Sequence, residues 1–85
     1  MILNKVLVTL YVPKIEQNYE IWIPLNKSIY NIIIQISKAV YELSGGYFNP
    51  SKMPILYNKE TAIPYDINMS AKKANIKNGT ELILL

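Results

Sequence analysis

The side chains that could carry out acid–base chemistry in this 85-residue chain are its carboxylates and its tyrosine–lysine pairs, because histidine, cysteine and arginine are absent. The acidic residues are Glu16, Glu20, Glu42, Glu60, Asp66 and Glu81. Their spacing fixes no pair at a distance suited to general acid–base catalysis. Seven tyrosines and nine lysines offer Tyr–Lys pairs by chance alone. We therefore predict no catalytic residues and no enzyme.

The same absences argue against metal and cofactor chemistry. Without histidine and cysteine there is no imidazole or thiolate ligand, no thiol nucleophile and no disulfide. An oxygen-only calcium site would need alternating Asp or Asn residues, and the sequence has no such run. Without arginine no side chain can grip a phosphate or a guanine with a bidentate fork. We expect neither a metal nor a cofactor.

The balance of nine lysines against six acids gives a net charge of +3. The lysines are scattered, and the densest group is Lys72, Lys73 and Lys77. A solvated surface is the favoured interpretation, and a nucleic-acid-binding patch on these three residues is a weaker alternative. Apolar stretches alternate with polar residues and stay shorter than the roughly 18 needed for a membrane span. With no signal-peptide pattern either, we expect a cytoplasmic protein without membrane insertion.

A composition of 51% hydrophobic and 18% charged residues is typical of a globular domain. The length predicts one domain over residues 1–85 with a single core. Lys5–Val12 alternates apolar and other residues, as a half-buried strand does, and residues 19–25 alternate in the same way. The short polar break at 13–18 predicts that these two strands form an antiparallel hairpin.

A helix of about 16 residues should follow the hairpin. Ser28 is suited to cap its first turn, and Gly45-Gly46 is suited to end it. The apolar residues at helical spacing are Ile29, Ile32, Ile33, Ile36, Val40 and Leu43.

The last third of the chain is predicted to add short strands. Residues 47–54 contain two prolines and predict a loop, 55–57 and 61–63 predict short strands, and 80–85 predict a terminal strand after the Asn78-Gly79 turn. Residues 65–77 are predicted to be irregular, with a single turn around 70–73. If the terminal strand pairs in parallel beside the first, the fold is α+β: a β-grasp with a mixed four- to five-stranded sheet and one helix packed on one face.

Two segments carry a resemblance to ubiquitin-like proteins. One is Pro24-Leu25-Asn26-Lys27-Ser28-Ile29, where a strand ending in proline leads to a capped helix. The other is residues 75–85, where an isoleucine before a turn leads into a strand that alternates leucine with outward residues. These are fold signatures, so the resemblance implies the β-grasp fold and no catalytic residues.

The sequence ends at Leu85 without the Gly-Gly tail that ubiquitin-type modifiers and sulfur carriers use. Its one Gly-Gly pair, Gly45-Gly46, lies in mid-chain. We therefore expect that the protein is neither conjugated to other proteins nor a sulfur carrier.

Among ubiquitin-like proteins without a tail, the chain resembles the YukD-type component of bacterial type VII secretion systems in length and in its ending, residues 78–84. The abundance of Ile, Asn, Lys and Tyr suggests an A+T-rich genome, as in low-G+C Gram-positive bacteria. The resemblance implies a cytoplasmic accessory or regulatory protein that binds protein partners of the secretion machine. The alternative is a β-grasp adaptor or self-associating regulator, such as a homodimer, unrelated to secretion.

Strand alternation divides the apolar residues between a core and an open sheet face. The predicted core is Val6, Val8, Leu10, Tyr19, Ile21, Ile23, Ile29, Ile32, Ile36, Val40, Ile55, Ile76, Leu82 and Leu84. The predicted protein-interaction face is Leu7, Thr9, Tyr11, Trp22, Leu56, Ile83 and Leu85, with Trp22 and Tyr11 as anchors. Alternatively, loop 47–54 folds over part of this face and completes the core.

A second stripe on the helix consists of Tyr30, Ile34 and Tyr41, flanking the core positions. It is either a second interface or a surface covered by the loop that carries Tyr47 and Phe48. The sequence leaves both interpretations open.

Overall fold

The computed structural model describes residues 4–85, so the first three residues of the predicted domain lie outside the described residues. The elements are β1 (Lys5–Val12), a 3-10 turn (Pro13–Ile15), β2 (Gln17–Pro24), α1 (Ile29–Leu43), β3 (Leu56–Asn58) and β4 (Glu81–Leu84). They form one sheet in the order β2-β1-β4-β3. This sheet, together with the one α-helix of the described residues, confirms the predicted α+β β-grasp fold.

The β1–β2 hairpin is antiparallel along its whole length, with register from Lys5 opposite Pro24 to Val12 opposite Gln17. β2 begins two residues earlier than predicted, at Gln17 rather than Tyr19. The reason lies in the connection: Pro13–Ile15 forms a 3-10 turn, and Glu16 takes a left-handed backbone with φ 52°. The chain therefore reverses within fewer residues than the polar break suggested.

The two most apolar strands occupy the centre of the sheet, as predicted. β4 pairs with β1 in parallel, placing Leu82 beside Leu10. β3 pairs with β4 in antiparallel fashion, placing Leu56 opposite Leu84. The described residues therefore form a mixed sheet of four strands.

The short strand predicted at 61–63 does not form. The Asn58 Oδ1 accepts hydrogen bonds from the backbone N–H groups of Glu60 and Thr61 at 2.9 and 3.0 Å. These bonds close a tight turn. The Asn58 side chain satisfies backbone N–H groups that would otherwise pair with a neighbouring strand. The chain after the turn touches β3 again through an isolated bridge between Tyr57 and Pro64.

Helix α1 begins where the sequence indicates. The Ser28 Oγ accepts a hydrogen bond from the Asn31 N–H at 3.2 Å. The preceding amides are satisfied by the segment before β4: the Ile29 N–H donates to the Met69 carbonyl at 2.8 Å and the Tyr30 N–H to the Ile67 carbonyl at 3.0 Å. After the helix, Gly45 and Gly46 have φ of 66° and 90°, the left-handed conformation that favours glycine. Within residues 4–85, no helix is long and apolar enough to cross a membrane.

The buried core lies between α1 and one side of the sheet. Its members are Val6, Val8, Leu10, Val12, Ile23, Ile29, Ile32, Ile33, Ile36, Val40, Phe48, Leu56, Ala71, Ile76, Leu82 and Leu84. Tyr19 and Ile21, predicted as core, are half-buried and pack against it. Val12 and Ile33 follow the predicted buried sides of β1 and α1, whereas Phe48 and Ala71 are core residues that the sequence did not predict.

Leu43 was predicted on the buried helix stripe, and that prediction is wrong, since the side chain is 63% exposed. The chain after the helix folds back and supplies Phe48 to the core. The Phe48 N–H donates to the Ser44 Oγ at 3.0 Å, which holds this return in place.

The predicted phase of β3 is also wrong. Ile55 was expected in the core and Leu56 on the open face, but Leu56 is 1% exposed and Ile55 is 49% exposed. Cross-strand partners point to the same side of a sheet, so Leu56 must follow its buried partner Leu84. The sequence could not show this, because Ile55, Leu56 and Tyr57 are consecutive apolar residues without alternation.

Candidate interaction surface

The side of the sheet opposite α1 carries the residues predicted as an interaction face, except Leu56, which is buried in the core. Leu7, Thr9 and Tyr11 lie on β1 between buried neighbours, as the alternating burial of that strand shows. Trp22 lies on β2 opposite Leu7, and Ile83 lies on β4 beside Tyr11. We call this set, with Glu20, Tyr57, Glu81 and Leu85, the open face.

The register places the open-face side chains in rows across the sheet. In one row Leu7 pairs with Trp22. In the next row Thr9 lies between Glu20 on β2 and Glu81 on β4. In the third row Tyr11 is beside Ile83, and Ile83 is beside Tyr57. Two apolar rows are therefore separated by a row that holds two carboxylates.

Trp22 is the most exposed large apolar side chain of the open face, at 58%. Leu7, Tyr11 and Ile83 are half-buried, because their strand neighbours cover their flanks. A half-exposed indole beside a leucine, on a face that also carries tyrosine and isoleucine, is typical of residues that anchor protein–protein contacts.

A lysine also belongs to this surface. The Lys59 N–H donates to the Glu81 carbonyl at 3.0 Å. The Lys59 Nζ lies 5.7 Å from the centroid of the Tyr11 ring, within reach of a cation–π contact. The positive charge is thus on the β3 side of the face, while Glu20 lies on the β2 side.

The sequence also left open that loop 47–54 folds over part of the open face, and the structure shows where this loop lies. Loop residues Pro50 to Pro54 border a groove of about 240 Å³ together with Ile55 and Leu85. The loop therefore lies beside the Leu85 end of the sheet. The row of Trp22 and Leu7 borders a different groove, whose lining includes no residue of that loop.

That second groove, which we call the Trp22 groove, has a volume of about 320 Å³. Its lining is Leu7, Val8, Thr9, Glu20, Trp22, Asn78 and Gly79. The turn at 78–79 is joined to β1 by two hydrogen bonds, from the Leu7 N–H to the Asn78 Oδ1 at 2.8 Å and from the Gly79 N–H to the Leu7 carbonyl at 2.9 Å. Sequence reasoning found the turn but not its place at this face.

The helix stripe Tyr30, Ile34 and Tyr41 is exposed along its length. Phe48 is in the core and Tyr47 is 87% exposed. Neither of these two side chains covers the stripe, which was one of the two interpretations that the sequence left open. Loop residues 50–54 do run beside Tyr30 and Ile34, and together they line a groove of about 360 Å³. Ser37 also borders this groove, and its Oγ is buried without a hydrogen-bond partner among the described residues.

The carboxylates nearest to the open face lie on separate strands and belong to no metal-binding cluster of the described residues. Within residues 4–85, no group of three or more His, Cys, Asp or Glu residues could hold a metal ion. Glu20 and Glu81 are each one strand away from Thr9, which separates their Cα atoms by about two strand spacings, or roughly 10 Å. Lys72, Lys73 and Lys77 are exposed.

No protein-family model matches the chain, and no curated protein matches it. Solved structures do. The ubiquitin-like domain of the Mycobacterium tuberculosis type VII secretion system protein ECCD1 is 15% identical, with 98% of this chain and 99% of that chain covered and a TM-score of 0.77.

Two further structures show the same likeness. The EccD5 ubiquitin-like domain from Mycobacterium xenopi is 16% identical, with 95% of this chain and 92% of that chain covered and a TM-score of 0.78. A chain of the MycP5-free ESX-5 inner membrane complex is 12% identical, with 98% of this chain but 21% of that chain covered and a TM-score of 0.80. At these identities the likeness concerns the fold, and the chain has the ubiquitin-like β-grasp fold.

Proposed function

We propose that this protein is a non-catalytic protein-interaction module, an accessory or regulatory component on the cytoplasmic side of a bacterial type VII secretion system. The observation that carries the proposal is the open face, on which the exposed indole of Trp22 lies beside Leu7 and two rows from Tyr11 and Ile83. Aromatic side chains in such a setting lose water on binding without losing many rotamers, which favours association with another protein.

The secretion assignment is supported by the fold comparisons and by the resemblance of the sequence to YukD-type proteins. The similar domains from Mycobacterium tuberculosis and Mycobacterium xenopi belong to proteins described as type VII secretion components or as EccD5. The ESX-5 chain is part of an inner membrane complex. By analogy, we propose that the partner is another component of the secretion machine.

The non-catalytic part of the proposal is supported by the separation of the carboxylates. Glu20 and Glu81 point from strands on either side of β1, and both are exposed. Exposed carboxylates in this setting can select a charged partner, and they lack the fixed proximity that general acid–base catalysis needs.

The test is secretion of a type VII substrate by cells whose only copy carries Trp22→Ala or Ile83→Ser. We expect both variants to fold, as judged by circular dichroism, and secretion to fall. Tyr47→Ala is the matched control, because it removes an exposed aromatic side chain outside the open face. Wild-type secretion by folded Trp22→Ala and Ile83→Ser variants would contradict the proposal.

A second candidate function is that of a self-associating regulator unrelated to secretion, and the exposed helix stripe Tyr30, Ile34 and Tyr41 favours it. Light scattering across concentrations separates the two. A dimer that Ile34→Ser converts to a monomer, with no change on Trp22→Ala, would support self-association through the helix. A monomer near 9.8 kDa at all concentrations would contradict it.

A further inference from the structure

We propose that the Trp22 groove receives a lysine or arginine side chain of the protein partner, flanked in the partner by apolar residues. This inference rests on the proposed function, since it names the chemistry that the open face recognises. The juxtaposition that carries it is an exposed indole, one carboxylate and an aliphatic wall around a single groove of about 320 Å³.

The walls of the groove come from three parts of the fold. Trp22 and Glu20 lie two residues apart on β2, so their side chains leave the same face. Leu7 and Thr9 lie directly opposite them on β1. The Asn78-Gly79 turn forms the third wall, and its hydrogen bonds to Leu7 hold it against β1. The groove is therefore built from paired backbone and does not depend on a free loop.

Each wall suits one part of a long basic side chain. The methylene stem of a lysine or arginine packs well on the Leu7 side chain and the Trp22 ring, because these side chains bury apolar stems while keeping the charge at the end. The indole face attracts the cation more strongly than other aromatic rings do. The Glu20 carboxylate then supplies the opposite charge.

The charges around the groove favour a cation over an anion. The protein as a whole carries +3, but the lining of the groove contains one carboxylate and no lysine. Lys5 lies beyond Leu7 on β1, away from Glu20, and Lys59 lies over Tyr11 at the β3 end of the same face. Glu20 therefore makes the groove locally acidic, although the protein as a whole is basic.

The apolar row of Tyr11 and Ile83 lies on the other side of the Thr9 row. A partner segment that places a basic residue in the groove therefore brings its neighbouring residues over this row. This geometry predicts that the recognised segment has apolar residues next to the lysine or arginine.

The experiment titrates the wild-type protein with acetyl-Leu-Lys-Leu-amide and with the same peptide carrying norleucine in place of lysine. Trp22 is the single tryptophan of the sequence, so its Nε1–H resonance and its fluorescence report on the groove alone. We expect the lysine peptide to shift the Trp22 signal saturably and to bind about fivefold more tightly than the norleucine peptide, as the added cation–π contact and exposed ion pair require.

Glu20→Gln should remove most of that difference, and Glu81→Gln is the matched control. Glu81 is the carboxylate on the other side of Thr9 and does not line the groove. Glu20→Gln should lower affinity for the lysine peptide about threefold and leave the norleucine peptide unchanged, since it removes the charge and keeps the shape. Glu81→Gln should change either affinity by less than about twofold, because its charge is farther away and screened by salt.

Equal affinity for the two peptides, an unchanged affinity in Glu20→Gln, or the lack of any Trp22 shift would each overturn the inference. The proposed function is tested separately. If Trp22→Ala secretes normally while the lysine peptide still binds selectively, the groove assignment stands and the secretion role fails. If Trp22→Ala abolishes secretion while Glu20→Gln leaves peptide binding unchanged, the secretion role stands and the groove assignment fails.

Discussion

The two sides of strand β1 meet different environments although they belong to the same eight-residue segment. Val6, Val8, Leu10 and Val12 are buried under α1, whereas Leu7, Thr9 and Tyr11 are half-buried on the open face. The residue types overlap, with a leucine on either side. What differs is the cover: a helix lies over one face and none of the described elements lies over the other. Stability should therefore depend on one side and partner recognition on the other.

The strongest test of this contrast replaces a leucine on each face. Leu10→Ala should lower the free energy of unfolding by about 2–5 kcal/mol, because it leaves a cavity in the packed core. Leu7→Ala should lower it by about 1 kcal/mol or less, since a half-exposed site loses less burial. Urea denaturation of both variants measures the difference. Equal losses would show that the open face contributes to folding as much as the core does.

A similar pair of substitutions tests the phase of β3. Leu56→Ala should cost about 2–4 kcal/mol, while Ile55→Ala should cost less than about 1 kcal/mol, because Leu56 is enclosed and Ile55 is not. Thermal and urea unfolding of the two single variants would compare them directly. If Ile55→Ala were the more destabilising variant, Ile55 rather than Leu56 would face the core, as the sequence alone suggested.

A smaller effect is expected where the open face meets the 78–79 turn. Asn78→Ala should lower the free energy of unfolding by about 1 kcal/mol, because the Leu7 N–H loses its acceptor. Asn78→Asp is the control, since a carboxylate oxygen can accept the same hydrogen bond. Amide exchange at Leu7 gives the local readout. Unchanged exchange in Asn78→Ala would mean that this turn does not hold the groove wall.

The smallest effect on stability should come from the most exposed large apolar residue of the open face. Trp22→Ala should change the free energy of unfolding by no more than about 0.5 kcal/mol, because surface substitutions rarely do more. Binding to the protein partner should weaken by about tenfold or more, as is usual for an aromatic anchor. Calorimetric titration with the partner and urea unfolding would separate the two quantities. A large loss of stability would mean that Trp22 contributes to folding and not mainly to binding.

Regular local patterns predicted much of this fold. The alternation in β1 has a period of two and identifies the buried face without any other information. The isoleucine stripe of α1, with Ser28 before it and Gly45 after it, likewise defines the helix. Both patterns are complete within a few residues, so no distant contact is needed to interpret them.

The predictions failed where the local pattern was incomplete. Three consecutive apolar residues, Ile55 to Tyr57, carry no alternation, so only pairing with β4 could decide that Leu56 is buried. The stripe of α1 continued to Leu43 in sequence, but the returning chain fills the core with Phe48. In each case a competing partner from elsewhere in the chain determined the outcome.

By itself, the sequence determined the hairpin, the capped helix, the Asn78-Gly79 turn and the sides of β1, because propensities, caps and side-chain periods act over a few residues. Only the tertiary structure decided the phase of β3 and the assembly of the Trp22 groove. The groove depends on a hydrogen bond between Leu7 and Asn78, which are 71 residues apart in sequence. Such a contact forms when the parallel pairing of β1 with β4 and the packing of α1 are satisfied together, and no local pattern encodes that condition.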